Sequence, residues 1–206
     1  MILHKQPLII EFTGTPNSGK TSTIHSLKRI LESDGFSVEI KQEDAEIVPK
    51  IIPKKTWDRN VWIALGQLQS LIESVNYSVD IVLLDRGYYD ALFWADFLQN
   101  QGTCTEQQAN YLKNVFFSFD NQFSFKPDYL FVIDVSIEEG LRRRYADESG
   151  EPPVLSTNAF LDSYKKALDD FCNNVDFPFT KIDSTFLSKD NVVNKVLTTI
   201  FDNFVL

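Results

Sequence analysis

The sequence predicts an α/β fold of three layers: a five-stranded parallel sheet with helices on both faces and a short lid. Three observations carry this. Apolar, β-prone runs alternate with helix-periodic stretches through five units. Ile81-Val82-Leu83-Leu84 is four apolar residues in a row, the pattern of a strand covered on both faces. The run Leu8 to Phe12 leads directly into a glycine-containing turn and then a stretch with Ile24, Leu27, Ile30 and Leu31 at helical spacing.

The turn after the first strand reads Gly14-Thr15-Pro16-Asn17-Ser18-Gly19-Lys20-Thr21, with Ser22 next. It fits Gly, four free positions, Gly-Lys-Ser/Thr without a mismatch. Gly14 and Gly19 permit backbone angles that other residues resist, so successive amides form an anion nest at the positive end of a helix. Lys20 is expected to reach the β- and γ-phosphates of a nucleotide, and Thr21 to ligate the magnesium that accompanies them. The alternative is a Gly/Ser loop that merely turns the chain.

The first helix should stop near Asp34-Gly35. Phe36 to Ile40 alternates as a second strand and delivers Lys41-Gln42-Glu43-Asp44 to its carboxyl end, the edge at which open α/β sheets bind ligands. Glu43 or Asp44 is a candidate general base or metal-side carboxylate; a solvated acidic loop is the alternative. Residues 47–55 carry two prolines and read as a loop over the site. Trp57, Arg59 and Trp62 follow; such a pair of types can stack on a base and hold an anion, or be core and surface. A helix is expected over Val61 to Val75, with Gln67 and Gln69 on its surface or, if inward, against a base edge.

Asp85 ends the third strand, where a carboxylate would meet magnesium, and Arg86-Gly87 follows at once. The planar fork of Arg86 suits two phosphate oxygens. Asp90 to Leu98 reads as a buried helix, and Thr105-Glu106-Gln107-Gln108 as a capping box opening another, to about Phe119. Tyr129 to Asp134 is the fourth strand. Ser136 caps a helix to about Tyr145 that carries Arg142, Arg143 and Arg144. Adjacent residues on a helix lie about 100° apart, so not all three can serve one site. Their charge suits a lid closing on transferring phosphates, or a basic helix end favoured by the dipole; the polar stretch Ala146 to Pro153 suits a flap. Asn158 opens a further helix, Phe179 to Asp183 is the fifth strand with Ser184-Thr185 at its end, and Asn191 to about Phe204 closes the chain as a helix.

With 206 residues, 43% hydrophobic and 17 phenylalanines, the chain is expected to fold as one domain over 1–206, its lid near 142–156. A formal net charge of −9 disfavours an extended nucleic-acid or anionic-membrane surface, though not a basic pocket for phosphates. Cys104 and Cys172 fit no metal or redox spacing. The apolar run at the N-terminus is too short for a signal peptide and no segment has the length of a membrane span, so a cytoplasmic location is expected.

These landmarks, taken together, resemble the P-loop nucleoside and nucleotide kinases, nearest the thymidylate-kinase-like branch, over nearly the whole chain. The resemblance rests on Gly14–Thr21, Asp85-Arg86-Gly87, the arginine helix before a flap, and Ile182-Asp183-Ser184-Thr185. The stretch Gln67 to Asp96 is also similar to ribosylnicotinamide-kinase-like relatives. The resemblance implies a P-loop NTPase fold and an ATP- and magnesium-dependent kinase. Residues 14–22 and Arg142 would hold the nucleotide, Thr21 and Asp85 the magnesium. Lys20, Asp85, Arg86, Arg143 and Arg144 would act on the transferring phosphoryl, and Glu43 on the acceptor hydroxyl. The partner is then a small-molecule phosphate acceptor, with a homodimer left open. Thymidylate kinases carry an acidic residue where Pro16-Asn17 stands, and Arg-Glu-Pro-Gly where Lys41-Gln42-Glu43-Asp44 stands. A nucleoside, another monophosphate or a small alcohol therefore remains open as acceptor. A regulatory nucleotide switch and a kinase of nucleic-acid ends are the competing classes. The guanine-reading Asn-Lys-x-Asp is missing: Asn194-Lys195 continues into Val196-Leu197.

Overall fold

A computed structural model describes residues 6–54, 56–146 and 158–204. Five strands, β1 (Leu8–Gly14), β2 (Val38–Lys41), β3 (Ile81–Asp85), β4 (Tyr129–Asp134) and β5 (Phe179–Asp183), form one parallel sheet in the order β2-β3-β1-β4-β5. β1 is central, pairing Phe12 with Asp85 on one side and Gly14 with Ile133 on the other. The carboxyl ends of β1, β3 and β4 therefore lie side by side, and loops leaving them share one edge.

Side chains alternate faces along each strand. Ile10, Phe12, Leu83, Phe131 and Ile133 pack against α1 (Lys20–Ser33) and α7 (Lys189–Asn203) through Ile24, Leu27, Leu31, Val192, Val196 and Ile200. Ile9, Val82, Leu84, Leu130 and Val132 face the other way. They meet α2 (Trp57–Ser74), α3 (Tyr88–Asn100), α4 (Glu106–Phe123) and α6 (Asn158–Asn174). Aromatic rings dominate this second layer: Phe93 and Phe97 each meet Tyr164 edge to face, at 4.9 and 5.5 Å. After β4 comes α5 (Ile137–Ala146), whose Glu139 amide donates to Ser136 Oγ. Of the expected lid, 147–156 lies outside the described residues.

Several boundaries move for local reasons. α2 starts at Trp57, not Val61, because Thr56 Oγ1 accepts from the Arg59 amide and caps the helix there. β2 starts at Val38, since the Phe36 amide still closes the end of α1 on the Leu31 carbonyl. The capping box of Thr105 and Gln108 forms as read, and the helix runs on to Phe123.

Gly14 sits at φ +137°, and a Cβ placed there would lie 1.9 Å from the Ile133 carbonyl oxygen. Side chains of any size are thus excluded where β1 crosses the end of β4. Gly14→Ala should lower stability by about 3 kcal/mol, read from the midpoint of urea denaturation.

Candidate active site

Residues 15–19 wrap the carboxyl end of β1 into the first turn of α1. Gly19 (φ +93°) and Asn17 (φ +59°) take left-handed angles, and α1 has no side-chain cap of its own. Its first amides are left to bind an anion. Lys20 is buried and folds back on the loop, donating to the carbonyls of Gly14 (3.3 Å) and Thr15 (3.1 Å). Burial, reinforced by the Arg86 charge, pulls its pKa down to about 8. Thr21 Oγ1 donates to Asp85 Oδ2 at 2.6 Å, while the buried Asp85 Oδ1 has no hydrogen-bond partner among the described residues. A hydroxyl and a carboxylate with a spare oxygen suit a hard, oxygen-seeking cation such as magnesium. No group of three or more acidic, His or Cys side chains among the described residues would hold a metal alone.

Thr15 and Pro16 face β4 and α5. Thr15 Oγ1 accepts from the Val135 amide and donates to Asp134 Oδ1. The Asp134 carboxylate also meets Lys165 (2.9 Å) and Lys181 (3.2 Å). Ser18 offers its carbonyl to Ser184 Oγ (3.0 Å) and to the Arg143 guanidinium (3.3 Å). Arg143 also donates to the Ser184 carbonyl at 2.6 Å. Arg143 therefore clamps the loop to the end of β5. The three arginines diverge, as their spacing requires. Arg142 is exposed and forks onto Glu139, Arg143 turns inward, and Arg144 makes no hydrogen bond or ion pair with the described residues. Ser22 is exposed, and its hydroxyl donates to the Gly19 carbonyl.

On the other side of the loop, Arg86 stands in a left-handed conformation (φ +68°) just past β3. Its NH1 donates to Asp90 Oδ1 at 2.8 Å. Its Nε lies 2.7 Å from Glu43 Oε1, outside hydrogen-bond alignment, so that contact is an ion pair. Burial opposes the Arg86 charge, but Asp90 and Glu43 outweigh it and hold the guanidinium protonated. Burial raises the Glu43 carboxyl above its usual range; Arg86 and Lys20 pull the other way. Asp44, next in sequence, turns aside onto α2, where a Cβ on Gly66 would meet its Oδ1 at 2.7 Å. Burial and the Glu43 charge push it up to about 6. Of the two acidic candidates, only Glu43 joins Arg86.

Gln67 is buried and donates to Asp90 Oδ2, whereas Gln69 is exposed on Glu73. Arg59 donates to the Ala45 carbonyl, and Trp57 packs on the α2–α3 core. Sequence reasoning missed Glu11, Thr13 and Tyr164. Thr13 Oγ1 donates to Asp90 Oδ1 (2.6 Å), and the fully buried Tyr164 hydroxyl donates to the Gly14 carbonyl (3.2 Å). A polar residue inside an apolar strand was the available signal for Glu11 and Thr13. Tyr164 shows none, since helical spacing alone reads it as core. A cleft of about 290 Å³ between Leu8, Phe36, Asp80, Asp128 and Phe204 lies at the amino edge of the sheet, opposite this site.

Strand, left-handed glycine turn, buried lysine and facing Thr21–Asp85 pair define the class: a P-loop nucleotide-binding domain. No family model matches the chain. A probable thymidylate kinase of Methanobrevibacter smithii is 25% identical over 205 residues, covering 94% of this chain and 92% of that protein. One of Sulfurisphaera tokodaii is 22% identical over 147 residues, covering 69% and 71%. Among solved structures, deoxyadenosine kinase of M. mycoides superposes with TM-score 0.70 at 17% identity, covering 94% of this chain and 99% of that one. Thymidylate kinase of Candida albicans gives 0.67 at 15%, covering 96% and 92%. The chain is thus similar over nearly its whole length to a probable thymidylate kinase, and it shares the fold of the deoxyadenosine and thymidylate kinase structures. No described helix is long and apolar enough to cross a membrane.

Two measurements probe this geometry. Lys20 carries its charge below about pH 8 and loses it above. A bound polyphosphate needs that charge, so nucleotide affinity should fall about tenfold per unit as pH rises past 8, read by calorimetry. Arg143→Ala removes one donor each from the Ser18 and Ser184 carbonyls and should cost about 1–2 kcal/mol of stability by thermal melts, while Arg142→Ala should leave the melting temperature unchanged.

Proposed function

We propose that the protein transfers the γ-phosphoryl of ATP, with magnesium, to a hydroxyl of a nucleoside or to the phosphate of a nucleoside monophosphate. The observation that carries this is the meeting of Glu43 and Arg86 beside the phosphate loop. Amides of residues 15–21 would cradle the polyphosphate, with Lys20 exchanging loop carbonyls for phosphate oxygens. Thr21 and Asp85 would hold the magnesium, which neutralises charge on the phosphate oxygens when bound. Arg143 and Arg144 belong to the same reading as lid cations; Arg142, turned to Glu139, would reach the nucleotide only by leaving that pair.

With a nucleoside as acceptor, Glu43 takes the hydroxyl proton as that oxygen bonds to the γ-phosphorus and the bond to the ADP oxygen breaks. Arg86 fixes the Glu43 carboxylate in place. Charge on this side favours a neutral hydroxyl over a dianionic monophosphate: Arg86 is already matched by Glu43 and Asp90. The chain is also without the Arg-Glu-Pro-Gly segment of thymidylate kinases. Single-domain organisation and pairing of two copies belong to the same proposal, the latter tested by light scattering.

Lys20→Ala should abolish transfer, by a factor of about 10³ or more in kcat, while circular dichroism stays native. Asp85→Asn should raise the magnesium needed for half-maximal rate and lower kcat. The deciding assay is ADP release with Mg-ATP across nucleosides, monophosphates and small alcohols. Turnover with a nucleoside above the rate without acceptor is expected. Slow hydrolysis unaffected by any acceptor would instead indicate a nucleotide switch.

A further inference from the structure

Helix α3 starts without a capping side chain: its N-cap is Gly87, and the residues before it are Asp85 and Arg86. Its free amides are nevertheless satisfied, from far away in sequence. Glu11, in the middle of the central strand β1 and fully buried, accepts from the Tyr89 amide with Oε2 (3.0 Å) and from the Asp90 amide with Oε1 (2.8 Å). These are the second and third helical amides, the ones an N-cap side chain would take. Gly87 makes the room, for a Cβ there would lie 2.9 Å from Glu11 Oε2. We propose that Glu11 is a positioning residue for phosphoryl transfer, setting the first turn of α3 so that Asp90 holds Arg86 against Glu43.

The chain of contact is continuous. Asp90 is the residue whose amide Glu11 holds, and its carboxylate takes Arg86, Thr13 and Gln67. Arg86 has a strained left-handed backbone, so its direction depends on what grips its side chain. Thr13 lies on the same face of β1 as Glu11, two residues on, and fixes the same carboxylate from the strand. Glu11 and Thr13 thus reference Arg86 and Glu43 to the strand that ends in the phosphate loop. A carboxyl inside the sheet layer is costly. Burial pushes Glu11 up to about 8, while the two amides and the Arg86 charge pull it down. A glutamine could not do the same work, because its NH2 would face one of the two donor amides.

The inference rests on the kinase reading above, and the test separates the two. Glu11→Gln should lower kcat/KM for the acceptor about tenfold or more, with KM for ATP within about twofold, since the Lys20 and Thr21 contacts are untouched. In a double-mutant cycle with Asp90→Asn, the double variant should lose no more than Asp90→Asn alone. Independent, additive losses would overturn the proposal, and so would wild-type kinetics with a lowered melting temperature. Should Glu11→Gln fail to fold, Gly87→Ala displaces the carboxylate while keeping its charge and should give the same kinetic split; wild-type constants there would sink the idea. Amide exchange at Tyr89 and Asp90 reads the cap without turnover. Faster exchange there in Glu11→Gln, with α1 unchanged, is expected, and unchanged exchange refutes the assignment even if no acceptor is turned over.

Discussion

Everything at the carboxyl edge depends on how closely β1 passes the end of β4 at Gly14. The missing side chain lets the strand turn within van der Waals reach of the Ile133 backbone. That approach carries Thr15 to Asp134 and Val135, and Ser18 to Ser184 and Arg143. The Gly14 carbonyl becomes a shared acceptor for Lys20 and Tyr164. The phosphate loop is thus fastened largely from outside, by β4, β5, α5 and α6, with the Ser18 amide on the Thr15 carbonyl as a bond of its own. A loop whose amides must point at a ligand needs such external fastening, because amides used internally would not be free for it.

Buried charge is the second constraint. Glu11, Lys20, Glu43, Asp85, Arg86 and Asp90 crowd a space largely withdrawn from water. Each has an opposite charge or a hydrogen-bonding group facing it, Asp85 through one oxygen alone among the described residues. Arg86 is the hub, between Glu43 and Asp90, and its charge is one reason the Lys20 pKa is depressed. Such coupling means that a bound polyphosphate, with its magnesium, changes the field on both sides of the loop at once. Asp44 lies apart: it is buried against Gly66 of α2, with its pKa raised by burial and the Glu43 charge.

The likeness to thymidylate kinases is one of fold and order of landmarks, and the departures fall in the phosphate loop and after β2. Pro16 and Asn17 occupy the loop positions at which those enzymes carry an acidic residue, with Asn17 in a left-handed angle that asparagine tolerates. The segment after β2 supplies Glu43 to Arg86 and Asp44 to α2.

Strand order along the chain, both helical layers, the phosphate loop and the Asp85-Arg86 corner were legible in the sequence by itself. They are written in local pattern: apolar runs covered on both faces, helical spacing, the glycines a nest requires, and a capping box at Thr105. What those patterns leave undecided is direction. Sequence spacing shows that Arg142, Arg143 and Arg144 diverge; only packing against Ser18 and Ser184 selects Arg143 as the inward one. Gln67 and Gln69 differ by two positions, and the approach of α3 alone decides that the first is buried on Asp90. Glu11 reads as one polar residue in an apolar strand until the sheet brings it beneath a helix that begins 77 residues later, at Tyr88. Contacts between residues so far apart are fixed by how the layers stack, which no local rule encodes.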